Sequence, residues 1–194
     1  MDIQHLTNYL SNYIPLPQKG ALLIAEKCKR RVYLKGQYLL QQGDYCKYTN
    51  FIISGATKTF HIDEEGKEYI FRFAIENWWA VDLPSFIHQV PSNTNIQALE
   101  KTEVIQISSQ HLEELYKEIP ELEHVFRLLY QEASISLEKR IISSLSHTAK
   151  ERYILFKKEC SKFEKRIPQY MIASYIGISK QYLSEIRKQL THEL

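Results

Sequence analysis

The densest group of side chains able to make directional polar contacts lies near the end of the sequence. It consists of Lys180, Gln181, Ser184, Glu185, Arg187 and Lys188. Between them, Leu183, Ile186 and Leu190 recur at helical spacing, which predicts a helix that buries these three residues and exposes the polar ones. Ammonium, amide and carboxylate groups on one helix could bond to base edges in the major groove of DNA, and a guanidinium could meet phosphate.

The residues before this helix predict a partner helix that would hold it in place. Ile172, Ala173 and Ile176 share one helical face, and the small Ala173 allows close helix packing. Gly177 can adopt the left-handed conformation of a tight turn, and the Ser179 hydroxyl can cap the helix that follows. The pattern predicts a helix-turn-helix, with a plain helical hairpin and a solvated outer face as the alternative.

The motif spans residues 168–190, and its polar side chains divide by the contact expected of them. Contacts to bases are expected from Lys180, Gln181, Ser184 and Glu185. Contacts to phosphates are expected from Gln169, Tyr170, Arg187 and Lys188. Ser179, at the start of the second helix, is included in the DNA-contacting set.

Charge is distributed unevenly along the chain. The net charge is +2, with 25 basic and 23 acidic residues among 194. Residues 1–147 contain 15 Lys and Arg against 18 Asp and Glu, whereas residues 148–194 contain 10 against 5. The last quarter is therefore the part expected to face a polyanion, although a solvated basic face would give the same counts.

Residues 30–107 show short apolar or alternating runs, which are typical of strands. The runs are VYL, YLL, NFII, TKTFHI, YIFRFA, IQAL and EVIQI. Gly36, Gly43, Gly55 and Gly66 separate several of them at positions suited to turns. This segment predicts a small antiparallel β roll or barrel.

Helical spacing returns after Ser108, with a short helix ending at Pro120 and a longer one from about 121 to about 147. The long helix has two apolar stripes. The first is Leu122, Phe126, Leu129, Ala133 and Leu137; the second is Leu128, Ile135, Ile142 and Leu145. One stripe should pack on the β roll and the other on a second copy of the chain, with burial inside one subunit as the alternative.

Three segments resemble the Crp/Fnr superfamily of bacterial regulators. IASYIGISKQYLSEIRK (172–188) resembles the family's DNA-binding motif, and KERY (150–153) resembles the start of its DNA-binding domain. LLQQGDYCKYTNFIISGATKTF (39–60) is similar to its cyclic-nucleotide-type β roll. The resemblance implies a homodimer whose recognition helices enter successive major grooves of double-stranded DNA. RNA polymerase is a further partner to expect.

The expected fold class is α+β. It comprises an N-terminal antiparallel β roll of double-stranded β-helix or jelly-roll type (1–119), a central dimerisation helix (120–147) and a winged-helix-like DNA-binding domain with the helix-turn-helix (148–194). Amphipathic patterns predict further helices over residues 2–13 and 149–158. Hydrophobic residues make up 44% of the chain, which is ordinary for a folded soluble protein.

Departures from the family at its ligand-binding positions argue against cyclic AMP. Where members that bind it have a Gly-Glu pair, this chain has Val81 and Asp82; where they have an Arg-Ser pair, it has Ser92 and Asn93. Without the arginine, a buried phosphate loses its strongest partner. Asp82, Ser92 and Asn93 could instead bond to another effector, or be polar loop residues. Aromatic side chains that could line its pocket, or belong to the barrel core, are Phe71, Phe73, Trp78 and Trp79.

Other chemistry finds little support. No nucleophile elbow, P-loop or metal-binding histidine pair occurs, and Asp63, Glu64 and Glu65 precede Gly66 at an expected hairpin tip. The three cysteines are too scattered for a disulfide framework or an iron–sulfur cluster. No apolar run is long enough for a membrane span, and the start of the chain lacks the pattern of a signal peptide. We expect a cytoplasmic protein that is not an enzyme, binds no metal and does not enter the membrane.

The expected function is sequence-specific DNA binding as a homodimer that controls transcription, switched by a small effector other than cyclic AMP. The main alternative is a ligand-sensing or protein-interaction module whose helix-turn-helix does not bind DNA usefully. A small enzyme built on a β barrel is a more remote alternative.

Glu185 predicts an altered DNA half-site. It stands where many family members carry an arginine that contacts guanine. A carboxylate cannot donate a hydrogen bond to guanine, but it can accept one from the amino group of cytosine. Selection of bound fragments from random DNA should therefore enrich a half-site that differs from the family's commonest one. Recovery of the usual half-site with unchanged preference would contradict this prediction.

Overall fold

A computed structural model describes residues 3–161 and 164–192 of the chain. The outer limits predicted for the first and last domains, at residues 1 and 194, lie outside the described residues, as does residue 2, where the first predicted helix begins. None of the helices in the described ranges has the length and apolar character needed to cross a bilayer.

The structure combines eight strands and eight α-helices in the described ranges. The strands are β1 (Cys28–Tyr33), β2 (Tyr38–Leu40), β3 (Tyr48–Ser54), β4 (Thr57–Ile62), β5 (Glu68–Ala74), β6 (Trp79–Ala80), β7 (Asn95–Ala98) and β8 (Thr102–Ser108). The helices are α1 (Gln4–Leu10), α2 (Gln18–Lys27), α3 (Leu83–His88), α4 (Ser109–Glu118), α5 (Glu121–Ser146), α6 (Ala149–Glu159), α7 (Gln169–Ile176) and α8 (Lys180–His192). A 3-10 turn, Glu164–Arg166, precedes α7.

The strands form two antiparallel four-stranded sheets, which confirms the predicted β roll. Their orders are β1-β8-β3-β6 and β2-β7-β4-β5. Each of the seven predicted runs falls largely within a strand, and β6 is a short addition. Phe51, Ile52, Ile96 and Ile105 are almost completely buried in one core.

Strand β5 is an edge strand, and it contains a β-bulge. Opposite β4, Thr59 pairs with Arg72 and Phe60 pairs with Ile70, so Phe71 has no partner of its own. A bulge of this kind removes one residue from the ladder and re-aims the side chains beside it. The outer edge of β5 and the Phe71 carbonyl are therefore available to groups from outside the sheet.

Two helices of the N-terminal domain were not predicted. Helix α2 begins directly after Pro17, whose fixed φ suits a helix start, and it buries Gly20 and Ile24. Its weak apolar pattern lies in a segment punctuated by prolines, which obscures it in the sequence. Helix α3 is only six residues long, too short for helical spacing to be recognised. Helix α1 ends at Leu10, earlier than the predicted residue 13.

Helix α5 changes character along its length. Its first turns bury Leu122, Val125 and Phe126 in the core of the β roll. Beyond Tyr130, the apolar side chains of the second predicted stripe stay open, with Ile135 43% and Leu145 83% exposed. A long helix with an uncovered apolar stripe is unusual in an isolated subunit. The helix ends at Ser146 and α6 begins at Ala149, on either side of the predicted limit at 147.

The C-terminal part contains helices and one 3-10 turn, but no strand, within residues 148–161 and 164–192. The wing implied by the predicted winged-helix-like domain is therefore not found in the described residues. Helix α8 extends to His192, the last described residue, so the described ranges hold nothing after α8. The helix predicted over residues 149–158 corresponds to α6.

Gly55 lies between β3 and β4, where the backbone of another segment comes close. Its φ is +96°, and an added Cβ would lie 2.6 Å from both the Lys101 carbonyl oxygen and the Thr102 Cα. Since backbone atoms cannot move aside cheaply, we expect Gly55→Ala to lower the free energy of unfolding by about 3 kcal/mol. Urea denaturation followed by circular dichroism measures this change.

Gly66 is the matched control. Its φ is +79°, but nothing lies within 4 Å of an added Cβ. Gly66→Ala should therefore cost only the backbone strain, about 1 kcal/mol. An equal loss of unfolding free energy in the two variants would show that the close backbone approach at Gly55 adds nothing to the cost of the substitution.

Candidate nucleic-acid interface

The turn between α7 and α8 has the geometry that the sequence predicts. Gly177 is left-handed, with φ +80° and ψ +39°. Its N–H donates to the Ala173 carbonyl at 2.9 Å, and the Ile178 N–H donates to the same carbonyl at 3.0 Å. The Ser179 hydroxyl then accepts from the Tyr182 N–H at 3.1 Å, which caps α8. These bonds fix the direction in which α8 leaves α7.

Helix α8 has one buried side and one open side. Leu183 and Ile186 are 0% and 1% exposed and pack in a cluster with Ile172 and Ala173 of α7, while Leu190 is half-buried. The exposed side chains on the other side are Lys180, Gln181, Ser184, Glu185 and Lys188. Arg187 lies at the border and is half-buried. The structure thus places the predicted base-contacting residues together on one accessible helix surface.

The predicted phosphate contacts at the start of α7 are also accessible. Gln169 and Tyr170 are both exposed, Tyr170 by 52%. Pro168 precedes them and provides no side-chain cap, so the first N–H groups of α7 have no side-chain acceptor there. Free N–H groups at a helix start favour an anion such as a phosphate oxygen.

Tyr182 is a member of this surface that the sequence analysis did not include. It lies in the first turn of α8 and is 47% exposed. The next residue, Leu183, is fully buried. Because Tyr182 points away from Leu183, its ring lies beside the exposed polar side chains and not in the core. A hydrophobic pattern alone would assign such a tyrosine to the core. The signal that it is exposed is its place after Gln181, outside the spacing of the buried residues of α8.

Helix α6 contacts the helix-turn-helix and helps to hold α7 in place. A capping box between Thr148 and Glu151 starts the helix. Arg152 donates from Nε to the Ile176 carbonyl at the end of α7, at 3.2 Å, and from Nη1 to the His147 carbonyl at 2.8 Å. The Tyr153 hydroxyl donates to Glu164 at 2.8 Å. The resemblance of residues 150–153 to a domain start therefore coincides with residues that hold the motif.

The helix-turn-helix is docked on the edge of β5. Ser174 of α7 donates from Oγ to the Glu68 carbonyl at 3.1 Å, and its Oγ accepts from the Ile70 N–H at 3.3 Å. The rings of Phe73 and Tyr175 lie 5.2 Å apart. A helix side chain thus completes part of the hydrogen bonding that an edge strand lacks.

Two charged anchors reinforce this docking. Arg166 forms ion pairs with Glu76, at 3.0 Å, and with Glu100 of the β roll. These carboxylates hold the pKa of Arg166 above its ordinary value. Arg140 of α5 donates to the Phe71 carbonyl left free by the bulge and to the Tyr175 carbonyl of α7, the second at 3.0 Å. Neither arginine was assigned a role from the sequence.

A cavity of about 700 Å³ lies between β5, α5 and the end of α7, and it contains part of the predicted effector pocket. Phe71 and Phe73 line it, and Trp78 and Trp79 do as well. Asp82, Ser92 and Asn93 lie outside its lining, so the structure does not bring the predicted aromatic and polar groups into one site.

The polar part of the predicted pocket is bonded internally. The buried Ser92 donates from Oγ to an Asp82 carboxylate oxygen at 2.6 Å and accepts from the Thr94 N–H at 3.0 Å. Asn93 is exposed, and its carbonyl oxygen lies 2.7 Å from His61 Nδ1. Ser92 therefore stabilises the loop before β7 in this structure.

The remaining candidates for reactive chemistry do not cluster in the described ranges. Cys28, Cys46 and Cys160 are buried free thiols, and burial raises the pKa of Cys160 to about 12. No three His, Cys, Asp or Glu side chains come together as a metal site among residues 3–161 and 164–192. Asp63 accepts from the Glu65 and Lys67 N–H groups at the tip between β4 and β5, in keeping with a turn role.

Comparison with known proteins agrees with this architecture. The family model of the cyclic nucleotide-binding domain matches residues 30–118. The transcriptional activator protein Anr of Pseudomonas aeruginosa is 29% identical over 164 residues, which is 78% of this chain. That alignment spans 66% of the relative's own length, just under two thirds.

Solved structures show the same fold. FixK2 from Bradyrhizobium japonicum superposes with a TM-score of 0.76 at 15% identity, covering 86% of this chain and 85% of that one. A structure from Eubacterium rectale described as belonging to the crp/fnr family gives 0.71 at 16% identity, covering 94% and 88%. With the β roll, the long central helix and the C-terminal helix-turn-helix in place, the chain matches the cyclic nucleotide-binding domain over residues 30–118 and is similar in fold to solved regulators of the Crp/Fnr type.

Proposed function

We propose that the protein is a sequence-specific DNA-binding transcription regulator that acts as a homodimer. The observation that carries this proposal is the surface of α8, where five polar side chains stand exposed on a helix whose opposite side is anchored in a core. Lys180, Gln181, Ser184, Glu185 and Lys188 make no hydrogen bond or ion pair with other described side chains, so their bonding capacity is available for bases and phosphates.

The homodimer is proposed from the open stripe of α5. Leu128, Ile135 and Ile142 are seven residues apart and lie on one side of the helix, and Ile135 and Ile142 are 43% and 52% exposed. At about 100° per residue, Phe126 and Ala133 lie on nearly the opposite side, toward the β roll. A helix from a second subunit is the partner that a seven-residue stripe fits.

The dimer would bring two α8 helices to one DNA duplex. A two-fold pair of recognition helices fits half-sites about 34 Å apart, and a near-palindromic operator. Such a regulator acts in the cytoplasm, and we propose a small effector other than cyclic AMP as its signal. RNA polymerase remains an expected partner for which no surface is assigned.

DNA binding is tested by removing two of its charges. We expect the double variant Lys180→Ala, Arg187→Ala to lower affinity for selected DNA at least tenfold, because it loses one base contact and one phosphate contact. Fluorescence anisotropy at several salt concentrations measures both affinity and salt slope, and the slope should fall by about one unit.

Lys35→Ala is the control for loss of a positive charge. Lys35 is exposed in the turn between β1 and β2, outside the helix-turn-helix. Its variant should bind DNA as the unchanged protein does, and circular dichroism should show all variants folded. Absence of any binding by the unchanged protein at low salt would instead favour a sensing or interaction module.

The dimer is tested on the open stripe. We expect Ile135→Glu, Ile142→Glu to convert the dimer to monomers, because four carboxylates would face one another at an apolar contact. Sedimentation velocity gives the mass of the species. Ser144→Glu introduces a carboxylate on the opposite side of α5, where Ser144 is exposed, and should leave the dimer intact. A dimer that survives the double change would place the subunit contact elsewhere.

A further inference from the structure

Two arginines share the cavity between β5, α5 and α7. Arg72 comes from the middle of β5, beside the bulge, and Arg140 comes from the second half of α5. Both are partly buried, and burial lowers the pKa of each. Their mutual repulsion lowers the pKa of Arg140 further. Two like charges brought together away from water are unfavourable unless something offsets them.

Arg72 has no partner in the described part of the chain. Its guanidinium makes no hydrogen bond and no ion pair there, so its five N–H donors are uncommitted. Asp82 attracts it from a distance, but that carboxylate already accepts a hydrogen bond from Ser92. An arginine within the apolar run YIFRFA whose guanidinium forms no hydrogen bond or ion pair with a described residue leaves its donors open to a ligand.

Within the described residues, Arg140 is bonded only to neutral groups. It donates to the carbonyls of Ile70, Phe71 and Tyr175, and its guanidinium carbon lies 4.0 Å from the centre of the Tyr175 ring. Three of its five N–H donors are used, and none meets a carboxylate in the described residues. The positive charge of Arg140 is therefore solvated by the protein but not neutralised.

The other walls of the cavity are mainly apolar and aromatic. Phe71, Trp79 and Phe126 are among the lining residues, and the buried Trp79 Nε1 has no acceptor of normal geometry in the described residues. Glu132 and Glu159 also line the cavity, but both are exposed and neither pairs with an arginine. A volume of about 700 Å³ is within the range of small-molecule sites.

We propose that this cavity binds a small organic anion, whose acidic oxygens lie between Arg72 and Arg140 and whose apolar body packs against Trp79 and Phe126. Guanidinium groups match the planar oxygen pair of a carboxylate and the oxygens of a phosphate or sulfonate. The anion supplies the negative charge that the two arginines lack. The site differs from the predicted Asp82, Ser92 and Asn93 set, which lies outside the cavity.

Occupancy of the site would reach the DNA-binding helices through Arg140. The same guanidinium holds the bulge of β5 and the end of α7, so an anion that reorients it weakens one docking contact of the helix-turn-helix. This consequence rests on the proposed function, whereas ligand binding itself does not. A ligand shifts the docking equilibrium only as far as it prefers one arrangement over the other.

The binding test uses a matched pair of fluorescent probes. 8-Anilinonaphthalene-1-sulfonate has an aromatic body and a sulfonate, and N-phenyl-1-naphthylamine has the same body without the charge. We expect the anionic probe to bind at least tenfold more tightly than the neutral one. Arg72→Met should remove that preference and leave binding of the neutral probe within about twofold, and benzoate should displace the anionic probe where benzyl alcohol does not.

Arg127→Met is the control, because Arg127 is exposed on α5 and is not among the cavity-lining residues. It should leave both probes unaffected. Arg72→Lys keeps the charge without the planar fork and should retain part of the preference. Equal affinity for the two probes, or a preference that survives Arg72→Met in a folded protein, would overturn the proposal. A bound anion that leaves DNA affinity unchanged would confirm the site and remove its link to the proposed regulation.

Inorganic phosphate and benzoate, tested separately against the anionic probe, distinguish the acidic group that the site accepts. Displacement by benzoate alone would identify a carboxylate site that needs an apolar body. Displacement by phosphate at similar concentration would identify the charge as the main determinant. Displacement by neither, with the probe bound, would contradict the placement of the anion between the arginines.

Discussion

The position of the helix-turn-helix depends on the open edge of β5. An edge strand presents unpaired N–H and C=O groups, and most proteins cover or disrupt such an edge. Here Ser174 bonds to the edge at Glu68 and Ile70, and Arg140 takes the carbonyl that the bulge leaves free. Helix α7 therefore covers the open edge of β5, and the same contacts fix the orientation of α7.

In the proposed homodimer, the central helix would connect these contacts to a second subunit. One side of α5 carries Arg140 and part of the cavity, and the opposite side carries the open stripe at Ile135 and Ile142. A rigid helix with different partners on its two sides couples them, because rotation about its axis changes both at once. The helix that is proposed to join the subunits thus also lines the cavity.

Local patterns in the sequence were sufficient for most of the fold and for the exposed polar surface of α8. Alternation within TKTFHI and EVIQI specifies strands, and the spacing of Leu183 and Ile186 specifies which side of α8 is buried. Gly177 and Ser179 specify the turn, since each has a local backbone role. These features depend on residues that are close along the chain.

The cavity could not be predicted in the same way, because its parts come from β5, α5 and α7. Arg72 and Arg140 are 68 positions apart, and neither belongs to a motif. The place of Arg72 inside an apolar run was an available signal, but Arg140 follows Glu138 and Lys139 and carries no such signal. Only the packing of three elements shows that the two arginines face one space. The hydrogen bond between Ser92 and Asp82 could not be predicted either, because the sequence of a loop does not show whether its serine binds a ligand or another residue of the chain.

The shared core limits how the C-terminal domain can move. Phe60, Ile70 and Phe73 of the β roll belong to one apolar cluster with Met171 and Ile172 of α7. Complete separation would expose this cluster to water, at a cost that grows with the apolar area uncovered. A change of state that keeps this cluster buried would be a tilt or slide in which α7 stays in contact with β5.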